Sequence, residues 1–260
     1  MNGKAILPPT PEINEVADIF DETISKFLEI KGNTATSLGT YEADIESVLL
    51  FNLVIRNVES VIVLAREDLV LYPPAMTLTR SVFEIAVNIL WLLDPEDPFD
   101  REVRWLAFLR EEENYNNRMS GLCEQFGVDC THFKKRYEEI NLFRTAVTSK
   151  LPSGYEIISP PNFRMKLASL NREMQYSRYV ILSQFTHGTH VSTWTYRRNL
   201  GNKKQLGEFI TPRDWLPVLD TCWYSFINTG FTLLDRLGGE PKAFQTAEMS
   251  IQFTNALNRI

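Results

Sequence analysis

Apolar residues recur every three to four positions along nearly the whole chain, the spacing of one helix face. Pro11 to Lys31 holds Ile13, Val16, Ile19, Phe20, Ile24, Phe27 and Leu28 in that register and reads as an amphipathic helix. The stretch 32–40 reads as a loop, and Tyr41 to Asp68 as a long second helix. Tyr72-Pro73-Pro74 breaks it, because proline has no amide to donate and restricts the residue before it. A third helix runs from Ala75 to Leu93 and stops at Asp94-Pro95. The Pro/Asp turn that follows can cap a fourth, Phe99 to about Phe126, ended by Gly127. Asp129 or Thr131 can cap a fifth, reaching Lys150. After the proline-rich break 151–162, a sixth spans Asn162 to His187, with an interruption near Arg172 and a stop at Gly188. Residues 191–204 read as irregular or as one short extended pair. Thr211-Pro212 is a helix start, with threonine as N-cap and proline first in the helix. That helix runs to Leu237, and a last one covers about Pro241 to Asn258. The expectation is all-α: a single bundle of about eight helices with a buried polar centre. Residues 1–35 would hold an accessory N-terminal helix, 41–192 the core and 211–260 a C-terminal helical pair.

The polar interruptions of the apolar helices carry the chemistry. The third helix is apolar almost all round, yet Arg80, Glu84 and Asn88 fall on one stripe at spacing four. A charge in a helix core costs several kcal/mol unless it is paired, so Arg80 and Glu84 are expected to pair. The second helix has a similar stripe, Asn52, Arg56, Glu59 and Ser60. Two such stripes suggest either a polar cleft floor or an ion-pair network that fixes register. On the sixth helix Tyr179, Ser183 and His187 share the spacing of four. His187 lies in the last turn, where the helix dipole favours its protonated form, and His190 follows.

The 260 residues are 44% hydrophobic and 23% charged, an ordinary globular composition. No apolar leader opens the chain, and its longest hydrophobic runs fall short of the roughly 18 residues of a spanning helix. With three cysteines, an odd number, the expectation is a cytoplasmic protein without disulfides or membrane contact. The net charge of −6 is uneven. Pro161 to Lys204 carries eight basic residues against Glu173 alone, a window of +7 that leaves −13 elsewhere. Aromatic residues are interleaved with these bases. Two readings stand: a face for RNA or a small anionic ligand, or a segment seated against acidic helices. Arg56, Asn88, Arg178, His190, Arg197 and Arg198 are the candidate ligand contacts. No metal or cofactor is expected. Cys123, Cys130 and His132 match no zinc spacing, and the chain has no Glu-x-x-His pair. It has no Gly-x-Ser-x-Gly elbow either, and Cys222 reads as core.

Arg80-Ser81-Val82-Phe83-Glu84, then Leu90-Trp91-Leu92-Leu93, then Ser183 to His187-Gly188, resembles a broad group of uncharacterised bacterial helical proteins. These share an R-x-x-x-E central helix and a later S-x-x-x-H-G helix end. The resemblance spans Tyr41 to Ser192. The group is similar in style to the HEPN superfamily (higher eukaryotes and prokaryotes nucleotide-binding), helical bundles that are often dimers. Many of those are metal-independent ribonucleases of toxin or phage-defence systems, with an arginine followed four to six residues later by a histidine. Here Arg178 and His187 have eight residues between them, so the bundle and the Arg/His/polar centre are what carry over. The resemblance implies a homodimer and a link to bacterial stress or phage defence.

Two functions follow as expectations. The first is a binding or sensor module for an anionic ligand or nucleotide. The second is metal-free RNA cleavage. There His187 would be the acid or base, and Arg80 or Arg178 would stabilise charge. Tyr179 and Ser183 would orient them, and Glu84 would hold Arg80.

Overall fold

The computed structural model describes residues 6–34 and 41–260, so most of the expected loop at 32–40 lies outside the described residues. The chain is all-α. Its first five helices are α1 (Pro11–Thr34), α2 (Glu42–Glu67), α3 (Tyr72–Leu93), α4 (Pro98–Gln125) and α5 (Thr131–Thr148). These are followed by α6 (Phe163–Ser169), α7 (Tyr176–Thr186), α8 (Leu216–Arg236), α9 (Pro241–Phe244) and α10 (Ala247–Leu257). Between α7 and α8 a two-residue strand, β1 (Arg197–Arg198), pairs antiparallel with β2 (Gln205–Leu206).

The helix ends follow local chemistry. Asp97 accepts from the Phe99 amide at 2.8 Å and caps α4. Asp129, one of the two expected caps, accepts from the Thr131 amide at 2.9 Å. Thr211 and Asp214 form a reciprocal capping box around Pro212, and a 3₁₀ turn there leads into α8. The expected sixth helix is two helices. Asn171, with φ 56°, takes the left-handed region that asparagine tolerates and separates α6 from α7. The last expected helix likewise splits, at Gln245, into α9 and α10. The prolines at 73 and 74 sit in the first turn of α3, where a missing amide costs nothing.

α3 is the axis, packing against α2, α8, α7, α6 and α4. The N-terminal helix, expected as an accessory, is part of the main core through Ile13, Val16, Phe20, Ile24 and Phe27. Phe27, Phe51, Phe226 and Phe244 stack around Gly230, where an added Cβ would meet the Phe244 ring at 3.0 Å and Phe51 at 3.1 Å. A second cluster joins Trp91 and Leu92 to Trp105 and Leu106. There buried Arg101 holds Asp44 at 3.1 Å and the Glu96 carbonyl at 3.0 Å. Both α2 and residues 69–93 are long and apolar enough, by length and composition, to cross a membrane. Here they pack on each other as core helices.

The polar stripe of α2 is not interior. Asn52, Arg56 and Ser60 are exposed, and Arg56 meets Glu59 at 2.7 Å on the outer face. The polar centre therefore belongs to α3. The α4–α5 hairpin differs from the rest of the fold. Its seam combines ion pairs, Arg144–Glu113 at 3.2 Å, Arg136–Glu112 at 2.8 Å and Lys134–Glu124 at 2.6 Å, with the ring contacts Trp105–Phe143 and Tyr115–Phe133. The one residue α5 buries is Ile140.

Where this hairpin meets α2, burial and the neighbouring Glu112 and Glu42 carboxylates push the Glu46 carboxyl above its usual range, opposed by a hydrogen bond from Trp105. A carboxyl raised in the fold favours the native state while protonated and penalises it as pH rises through the folded value. Glu46→Gln keeps the acceptor and removes that penalty. It is expected to stabilise the protein at pH 7 and to lose the advantage below about pH 4. Urea denaturation of both proteins at the two pH values checks this.

Candidate functional site

Three of the expected residues meet at Arg80. Its guanidinium, on the α3 face toward α7, keeps 12% side-chain exposure. Nη2 donates to Glu84 Oε1 and to the Tyr179 hydroxyl, each at 3.1 Å. The guanidinium also sits 4.9 Å from the centre of the Tyr179 ring. Nη1 lies 3.1 Å from His187 Nε2. Arginine has no lone pair to offer, so Nε2 accepts and the ring proton sits on Nδ1. Nε of Arg80 is buried without a partner among the described residues.

The local sequence builds this arrangement. Arg80 and Glu84 are one turn apart on α3. Tyr179 and His187 are two turns apart on and just past α7, and Gly188, with φ 57°, ends the helix there. His187 is exposed, so its second nitrogen is open to solvent. Ser183 shares the stripe, but its hydroxyl donates at 2.6 Å to the Tyr179 carbonyl and so serves its own helix.

One turn further along α3 the stripe enters a cavity of about 400 Å³. Asn88 accepts at 2.9 Å from Lys166 Nζ, which also holds Glu111 at 3.1 Å. The Lys166 side chain is 5% exposed and lies over the faces of Trp91 and Phe108. Phe163 walls the cavity and packs against Tyr179 with ring centres 4.5 Å apart. Glu84 lines it too, so the cavity and the Arg80 cluster are continuous. Lys166, Glu111, Asn162 and Phe163 were not singled out by stripe reasoning. The Lys166 contacts with Glu111 and Asn88 span 55 and 78 residues of sequence, and the local signal is limited to the Asn162 cap of α6.

The remaining expected ligand contacts lie elsewhere. Arg56 is on the outer face of α2. Arg178 turns to α8 and pairs with Asp220 at 2.8 Å. His190 is engaged by Arg197, and Arg198 donates to the Phe209 carbonyl at 3.0 Å. Much of the basic window is thus matched inside the fold, by Glu111, Asp220, carbonyls and aromatic rings. Among the described residues no three His, Cys, Asp or Glu side chains converge to hold a metal ion.

The chain belongs to DUF5677, a family of unknown function, whose model matches residues 46–205. That span runs from α2 to β2 and contains every residue of the Arg80 cluster and of the cavity beside it. No curated protein and no solved structure matches the chain.

Removing Arg80 orphans a partly buried carboxylate and a tyrosine hydroxyl, whereas removing His187 deletes an exposed ring and releases one Arg80 donor. Arg80→Ala is expected to cost about 2 kcal/mol of stability, and His187→Ala less than about 0.5 kcal/mol. Denaturant midpoints of the two variants check the difference.

Proposed function

We propose that this chain is a helical binding or sensor module whose Arg80 cluster recognises an anionic ligand, such as a nucleotide. The observation that carries this reading is the guanidinium itself. It is largely buried, fixed on one side by Glu84 and Tyr179, and turned on the other toward an exposed histidine. Positioning of this kind lowers the ordering cost of holding an anion. An incoming anion would take the free Nδ1–H of His187 and the remaining Nη1–H of Arg80 as donors. The rest of the ligand would lie in the adjoining cavity, against Phe163 and the Ser81, Asn88 and Asn162 side chains. The resemblance in style to HEPN proteins joins this reading to bacterial stress or phage defence, and to a homodimer.

The alternative is metal-independent cleavage of RNA. One contact favours it: a neutral imidazole nitrogen 3.1 Å from a guanidinium. His187 would give its Nδ1 proton to the leaving oxygen while water takes the ribose 2′-hydroxyl proton, and Arg80, held by Glu84, would stabilise charge on the phosphorus.

One set of reagents tests both. Titration calorimetry with AMP and with inorganic phosphate should show binding that His187→Ala weakens about tenfold at an unchanged melting temperature. Absence of binding by both probes would reject the anion reading. Incubation of total RNA with wild type and His187→Ala in EDTA tests the alternative. Cleavage by wild type alone would establish nuclease chemistry at this histidine, and intact RNA at high protein concentration would reject it.

A further inference from the structure

A second cavity, of about 650 Å³, lies between the start of α8 and the end of α10, away from Arg80. α7 borders both places. Tyr179 points to α3, and the preceding residue, Arg178, points into this cavity. The lining is of two kinds. Arg178, Arg213 and Arg259 bring three guanidinium groups, and Leu216, Leu257 and Ile260 supply an aliphatic wall. Asp220 is the one acidic side chain in the lining, and Glu15 answers Arg259 from α1.

The three arginines are not equally engaged. Arg178 holds Asp220 at 2.8 Å and Thr221 at 3.3 Å, and Arg259 pairs with Glu15 of α1. The Arg213 side chain has no hydrogen bond or ion pair among the described residues, while its carbonyl accepts from the Leu216 amide. Each guanidinium carries five donors, so the two paired ones also keep N–H groups to spare. The exposed Arg213 guanidinium, with no side-chain carboxylate against it, therefore stands beside hydrocarbon in a concave site. Such a site complements a molecule with the same two ends. A planar carboxylate fits the guanidinium fork in two-point fashion. No aromatic ring lines the cavity to stack a nucleobase, and the wall is aliphatic.

We propose that this cavity binds a small aliphatic carboxylate. Its head would lie on Arg213 and Arg178, and its chain along Leu216, Leu257 and Ile260. The site is separate from the Arg80 cluster and does not rest on what that cluster binds.

Calorimetric titration of the full chain with octanoate, acetate and octanol tests it. Octanoate should bind at least about tenfold more tightly than acetate, which lacks the chain, or octanol, which lacks the charge. Arg213→Ala should weaken octanoate about tenfold while leaving the melting temperature unchanged. Arg178→Ala should weaken it too. Arg213→Gln, which keeps the bulk, is the control if Arg213→Ala is destabilised, and should show the same loss. No octanoate binding, octanol binding as tightly as octanoate, or equal octanoate affinity in wild type and Arg213→Gln would each overturn the proposal.

Discussion

A guanidinium held where little water reaches must be answered by partners that stay in place. Arg80 is that group here. It sits on a largely apolar helix, and its side chain keeps 12% exposure. Glu84 answers from the same helix. Tyr179 and His187 answer from α7, and this fixes the rotation and height of α7 against α3. Breaking the Glu84 contact would leave the guanidinium with an uncompensated charge. The Tyr179 ring in turn stacks on Phe163, and Lys166 ties the same short helix to α3 and α4. The polar centre and the packing of α6 and α7 are therefore one arrangement.

The charge map follows from the same geometry. The +7 window reads in sequence as a basic face. In the fold, its bases divide by which neighbour they meet. Lys166 and Arg178 are neutralised by Glu111 and Asp220. Arg172 and Arg178 lie over Tyr224, and Arg198 lies over Phe209. Both readings of the window thus have residues in their favour, and charge complementarity within the fold claims the more buried of them.

The all-α class was legible because the 3.6-residue period is written into each helix and needs no partner to be seen. The Arg80–Glu84 pair was legible for the same reason, since both ends sit one turn apart. Tyr179 and His187 could be placed on one stripe, but that they face Arg80 depends on how α7 lies over α3. The α2 stripe misled because periodicity reports a shared face without saying which side of the bundle that face takes. Asn52, Arg56 and Ser60 share a face, and it is the outer one. Lys166 was hidden because its acceptors, Asn88 and Glu111, belong to other helices. The break at Asn171 was visible only as a weak point, because a left-handed asparagine leaves little trace in the pattern.

The α4–α5 hairpin has a consequence of its own. Its two helices are joined by ion pairs, two of them exposed, beside two ring contacts, and α5 adds little to the apolar core. Attraction between exposed charges is screened within about 10 Å at 0.1 M salt, while buried hydrocarbon is untouched by that screening. The hairpin and the core thus answer to different solvent variables. Raising ionic strength loosens the arm before it troubles the bundle, and backbone amides along α5 exchange with solvent sooner than those of α3. The molecule carries a salt-sensitive limb on a salt-indifferent trunk.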